Sequence, residues 1–183
     1  MVREFVHDRR QWNSFVRDRL LPAGFAALTL DLRGHGASKE KAGALLTAEA
    51  SWSSDPKQFP LDISAAIQWL KARSNVDVNR IAMIGCELGA DLAFLASGKY
   101  EEVRSAIVIS GDAGNAGILA KAIPGFQPHS ILFIAAQGDS QAASSAREFE
   151  KQTGFPVRVQ IYENSEARGV KILQDIPEAS GVI

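Results

Sequence analysis

Only one cysteine, Cys86, stands among the 183 residues, so no intrachain disulfide can form and a disulfide-stapled scaffold is excluded. That scarcity favours a reducing, cytoplasmic setting. Histidine is nearly as rare, with His7, His35 and His129 alone, and these are not spaced with the cysteine as metal ligands, so neither a metal nor a cofactor is expected. An excess of charge of one sign is lacking too. Twenty Lys plus Arg face twenty-one Asp plus Glu for a net charge of -1, which leaves no field to hold a nucleic acid. No run approaches the ~20 apolar residues of a spanning helix, and the first ten residues carry charges where a signal peptide would be apolar, so no membrane partner is expected. What is there is 46% hydrophobic and 22% charged, the composition of an ordinary globular protein. The length lies below the ~250 residues at which a core usually divides, which predicts a single domain over 1–183 with a small neutral molecule as its default ligand.

The chain alternates between two kinds of pattern. Phe25-Ala-Ala-Leu-Thr-Leu-Asp-Leu32 is a continuously apolar run entered through Pro22-Ala-Gly24 and closed by Arg33-Gly-His-Gly36, the pattern of a buried parallel strand. Similar runs follow at 80–85, 105–110, 130–136 and 157–162, giving five predicted strands. Helical spacing recurs between them, at 8–21, 60–74, 87–97 and 141–153, with Ile63, Ala66, Ile67 and Leu70 as one apolar face. Strand and helix in alternation imply right-handed crossovers, and so a three-layer α/β/α sandwich around a mostly parallel sheet, with ligands at the carboxyl ends of the strands. The stretch 39–57 is polar and alanine-rich and reads as a long surface loop.

One turn carries chemistry. Ile81-Ala-Met-Ile-Gly85-Cys86-Glu87-Leu88-Gly89 runs from an apolar strand straight into a helix, and it is read as a G-x-C-x-G nucleophile elbow with Cys86 as the displayed residue. Glycines belong there because the displayed residue is strained and the neighbouring backbones come close. A thiol at a helix N-terminus is tilted toward thiolate, and the Glu87 backbone N–H is expected to face a developing oxyanion, with the Glu87 carboxylate opposing the first effect. The plainer alternative makes Cys86 a small buried residue between strand and helix.

With Asp31-Leu-Arg-Gly-His-Gly-Ala-Ser38, the elbow, and Ala135-Ala-Gln-Gly-Asp139 after a strand, the chain resembles the α/β-hydrolase superfamily, in its dienelactone-hydrolase-like and small-esterase branch, from about Arg9 to Leu173. The resemblance implies an ester or lactone as substrate. It also implies Ser or Cys at the elbow, an acid at the position of Asp139, and a His after the last strand. His35, in the Arg-Gly-His-Gly loop, is implied to be structural, bonding the loop to itself. His7, before the first helix, stands where the family places its second oxyanion donor.

The base is where this chain departs. After Val157–Tyr162 the residues are Asn164-Ser-Glu-Ala-Arg-Gly169, and Arg168 stands in the histidine's place. Arginine stays protonated and cannot act as a general base. Asp139 can therefore cap the following helix, orient a missing base, or pair with Arg168 and close the site, and the pairing is the reading favoured here. Asp112 is a second acid position in the superfamily, otherwise a turn residue, and Glu166 a weak candidate base. The expectation is a hydrolase-like protein with a degenerate triad of Cys86, Asp139 and Arg168 and weak or no activity, or alternatively a non-catalytic binding or interaction module. Both ends read as shortened against the superfamily, which would leave the strand at Phe25 exposed along one edge and invite a homodimer.

Overall fold

The computed structural model describes residues 8–120, 130–152 and 157–183. His7 and His129 lie outside the described residues, as does the end of the helix predicted at 141–153. The chain divides into two compact units, Met1–Asp62 and Ile63–Ile183.

The first unit opens on a helical stretch of changing pitch, a 3-10 turn Arg9–Trp12, α1 (Asn13–Phe15) and a π turn Val16–Leu20. Asp8 caps it, accepting from the Arg10 amide at 2.8 Å. The Arg10 guanidinium on the same carboxylate lowers the Asp8 pKa to about 2. The expected strand at 25–32 does not form: these residues are in neither sheet, and Phe25 and Leu28 are exposed. Apolar, β-prone sequence makes a strand only where a neighbouring ladder takes its backbone groups, and none among the described residues does so here.

The loop that follows is well tied. The buried Asp31 carboxylate accepts from the Arg9 amide at 2.7 Å and the Ala37 amide at 2.9 Å, and Arg33 forms an ion pair with Asp62 at 2.7 Å. His35 Nδ1 lies 3.1 Å from the Arg33 carbonyl, a contact inside its own loop.

The stretch 39–57 is not a plain loop. It holds a ribbon of β1 (Glu40–Lys41) and β2 (Ala44–Leu45), whose turn residues Ala42 and Gly43 both have positive φ, and then α2 (Ala48–Ser54), capped by Thr47. Two positive-φ residues between antiparallel strands make the primed turn that matches strand twist, which an alternation of polar and small residues conceals.

Helix α3 (Phe59–Lys71) runs through the boundary into the second unit. That unit is built on four parallel strands in the order β3 (Ile81–Cys86), β4 (Val103–Ile109), β5 (Ile131–Ala136) and β6 (Val157–Tyr162), flanked by helices. Consecutive strands are neighbours, so α4 (Leu88–Lys99), α5 (Ala113–Ala120) and α6 (Ser140–Gln152) each fall between adjacent strands of the sheet. Helix α5 was not predicted. Its sequence AGNAGILA carries two glycines and too little periodicity to show, and the capping by Asp112, which accepts from Gly114 and Asn115, compensates. A short α7 (Lys171–Asp175) follows β6.

Every residue of α4 from Ala90 to Ser97 is buried, so this helix lies inside the unit, where an amphipathic one would leave a face in solvent. Around it Phe94, Phe133 and Phe149 form one aromatic cluster, with the last two rings stacked at 5.5 Å and Phe94 4.5 Å from Phe149. Burying each such ring contributes about 1.5–3 kcal/mol, enough to fix α4 and α6 firmly on the sheet.

Candidate functional site

The strand-to-helix turn after β3 is sharp, and the strained residue in it is Glu87, not Cys86. Glu87 has φ 53° and ψ -121°, outside every region comfortable for an L-residue, while Cys86 still belongs to β3, paired with Ile109. The glycines explain the placement. A Cβ on Gly85 would lie 1.9 Å from the Gly89 carbonyl oxygen, so Gly85 is what lets the strand pass the backbone of the helix at residue 89. The middle of the five residues from Gly85 to Gly89 is Glu87.

This corrects two expectations. Cys86 is not the displayed residue of the elbow; it is buried, at 7% exposure, one position earlier on the strand. Glu87 does not offer its amide to an oxyanion either, because that N–H donates to the Ile109 carbonyl at 3.0 Å and prolongs the β3–β4 ladder. In this turn the amide after the apex belongs to Leu88, the first residue of α4. His7, the other expected oxyanion donor, lies outside the described residues.

The loop after β6 folds back onto the elbow. The Gly138 amide donates to the Ser165 carbonyl at 2.9 Å, and the Gly169 amide donates to the Ser110 hydroxyl at 3.0 Å. Gly169 has φ +55°, and a Cβ there would touch the Glu87 side chain at 3.6 Å and the Cys86 Cβ at 3.7 Å. Residue 168 is therefore held next to the apex of the turn.

Arg168 Nε donates to Asp139 Oδ2 at 2.8 Å. The carboxylate is 5% exposed and the guanidinium side chain 59%, so a buried anion anchors a cation that faces solvent. The other carboxylate oxygen of Asp139 accepts from the Ala142 amide at 3.3 Å and caps α6. The cap and the ion pair, weighed as alternatives from sequence, coexist on the two oxygens of one side chain.

Asp112 and Glu166 are placed as bystanders. Asp112 caps α5 and accepts from Gln141 at 2.8 Å, and Glu166 lies exposed beside Gly138. His35 belongs to the first unit. Two residues that sequence reasoning passed over also shape the site. Asp91, fully buried on α4, accepts from the Asp112 amide at 2.7 Å and fixes the turn after β4. Ser110 holds the loop after β6, and its φ of 53° has no signal in sequence. Among the described residues no group of His, Cys, Asp and Glu could hold a metal ion, and no helix is long and apolar enough to cross a membrane.

Elbow apex, acid and loop residue thus meet at the carboxyl ends of β3, β5 and β6, where parallel sheets place their sites. They are Glu87, Asp139 and Arg168. Two carry carboxylates and one a guanidinium, so the set lacks the imidazole by which a triad takes and returns a proton.

Residues 6–167 match the family model of the dienelactone hydrolase family. Among solved structures, the chain is similar to an esterase from Pyrococcus furiosus, with 17% identity and a TM-score of 0.66, over 93% of this chain and 70% of that one. It is similar also to a dienelactone hydrolase from Anabaena variabilis, with 19% identity and a TM-score of 0.64, over 93% and 73% of the two chains. A 31.7 kDa protein of Escherichia coli, itself described as uncharacterized, is 31% identical over 97 residues, which cover 49% of this chain and 31% of that protein's length.

Proposed function

This chain belongs to the dienelactone hydrolase family, and from that premise we propose that it is a degenerate member that binds small ester- or lactone-like molecules and turns them over weakly or not at all. The observation that carries the reading is the pair of Arg168 Nε and Asp139 Oδ2 at 2.8 Å. In a working triad the acid orients an imidazole that takes a proton from the nucleophile and returns it to the leaving group. A guanidinium held by the same acid has donors only and cannot accept that proton.

The elbow residue deepens the loss. If the Glu87 carboxylate attacked an ester carbonyl, a mixed anhydride would form and an alkoxide would have to leave without a proton donor. General acid and base steps contribute about 10²- to 10⁴-fold each, so their absence leaves only strained or activated substrates within reach. The buried thiol of Cys86 does not repair this, because it lies one residue before the apex.

The test is a panel of short-chain p-nitrophenyl esters and lactones given to the wild-type chain and to Cys86→Ala. The expected outcome is turnover at the buffer rate in both, with saturable protection against thermal unfolding by some panel members. Wild-type turnover well above buffer would overturn the reading, and its loss in Cys86→Ala would return the thiol to the centre of the mechanism.

A further inference from the structure

We infer that Ser110 is a positioning residue, a latch that holds the loop after β6 on the elbow and so decides where the side chain at 168 is delivered. Ser110 directly follows β4 and its hydroxyl accepts the Gly169 amide, 59 residues further along the chain, at 3.0 Å. It is 4% exposed and has φ 53°, a left-handed backbone that glycine would adopt without strain. Turn geometry alone therefore favours glycine here, and the hydroxyl is what serine adds.

The bond falls at a sensitive point. Gly169 also has positive φ, and a Cβ there would stand in ordinary contact with Glu87 and Cys86, so this peptide is the place where the loop meets the elbow. At its other end the loop is tied by the Gly138 amide to the Ser165 carbonyl. Arg168 lies between these two ties. Its bond to Asp139 joins an exposed cation to a buried carboxylate, and a guanidinium on so flexible a stem keeps one geometry only if its backbone is fixed. Ser110 supplies the nearer fixing point, adjacent to residue 168 itself. The inference stands on this geometry whether or not the site turns over a substrate.

The peptide bond between Arg168 and Gly169 is also a tryptic site, and its amide is the hydrogen that the latch holds. Limited trypsin digestion of the full chain, followed by mass spectrometry, reads the opening of this loop directly. Cutting after Arg147, in α6, reports general loosening, so the measured quantity is the ratio of the two rates. Ser110→Ala removes the hydroxyl and keeps the strained backbone, Ser110→Gly removes both, and Ser110→Thr keeps the hydroxyl. The expected result is a ratio raised by roughly three- to tenfold in Ala and Gly alike, the opening released by one lost net hydrogen bond, and returned to the wild-type ratio in Thr. In parallel the Arg168 Nε–H signal in the ¹⁵N spectrum should broaden in Ala and Gly. An unchanged ratio in Ala and Gly overturns the latch, as does a rise in Gly alone, which would assign the effect to backbone strain.

Discussion

Replacing Glu87 by Ser and Arg168 by His in one chain should rebuild a nucleophile, base and acid from parts that already stand in place. The apex backbone is in its strained conformation at Glu87, Asp139 already holds a nitrogen of residue 168 at 2.8 Å, and the loop carrying that residue is tied at Gly169 and Ser165. Each single substitution leaves the relay broken. Glu87→Ser gives a hydroxyl beside a guanidinium, and Arg168→His gives a base beside a carboxylate with no proton to lose. Triad members act as a unit, so the gain appears only in the double variant, where a restored base contributes about 10²- to 10⁴-fold. Imidazole is shorter than the arginine side chain, and a nitrogen that misses the hydroxyl by an ångström forfeits about 10²-fold, which sets the expected gain at the low end of that range. The assay is p-nitrophenyl acetate and butyrate hydrolysis by all four proteins across pH 5 to 9. The double variant should exceed either single by at least about tenfold and gain a rising limb with a midpoint near the ordinary histidine value of about 6.5. If its rate equals the sum of the singles, the acid and loop are not placed as a triad and the assignment of the site fails.

Gly85→Ala tests the elbow itself: with the new Cβ 1.9 Å from the Gly89 carbonyl oxygen, strand or helix must shift, and a loss of about 3 kcal/mol or more in chemical denaturation is expected, where an ordinary strand glycine would give a gain of about 0.5–1 kcal/mol. A small change would mean that the two backbones do not cross there. Tyr162, buried at the end of β6, has its pKa raised, first by burial and then by Glu178, so the unfolded chain ionises more readily than the folded one. Its contribution is present below pH 10 and is lost as the pH rises through the shifted value. Urea titrations at pH 8 and pH 11 should show less alkaline loss in Tyr162→Phe than in the wild type. At pH 8 that substitution should be close to neutral, because the hydroxyl finds no hydrogen-bond partner among the described residues; an alkaline loss as steep as in the wild type would refute the tyrosine's part.

What the sequence made legible followed from local pattern. Four buried runs became β3 to β6 because parallel strands covered on both faces are apolar throughout, and 157–162 was read to the residue. The run at 25–32 has the same composition and forms no strand, because pairing is a property of neighbours and a window of eight residues does not contain them. Arg168 and Asp139 stand out as a pair because the acid and histidine positions that the resemblance implies fall on them. Ser110 and Asp91 were missed for the opposite reason. A serine after a strand and an aspartate in a helix are unremarked until the fold brings a Gly169 amide or an Asp112 amide to them. The elbow shows a third case, in which the motif was visible and its centre was misplaced by one residue. The five-residue spacing from Gly85 to Gly89 centres on Glu87, and the reactive side chain beside that centre, Cys86, is the one the residue types favour.

A residue at φ 53° and ψ -121° costs on the order of 1–3 kcal/mol and persists only where its surroundings leave it no alternative. Here the surroundings are the Gly85–Gly89 crossing, the ladder bond from the Glu87 amide to Ile109, and the first turn of α4. These three are backbone constraints, so the strained corner is set by the backbone path between β3 and α4. Likeness of fold to an esterase and a dienelactone hydrolase therefore vouches for the corner and leaves the chemistry to whatever stands on it. A carboxylate stands there, next to a loop with arginine at the position where the resemblance implies histidine, and on the reading proposed above the site holds charge where a triad would move a proton. Substitution of Glu87 by Gln separates these roles: hydrolysis of the panel should remain at the buffer rate, while binding of an ester bearing a primary ammonium group, tested beside the neutral panel, should weaken by about the tenfold that one charge-assisted hydrogen bond contributes.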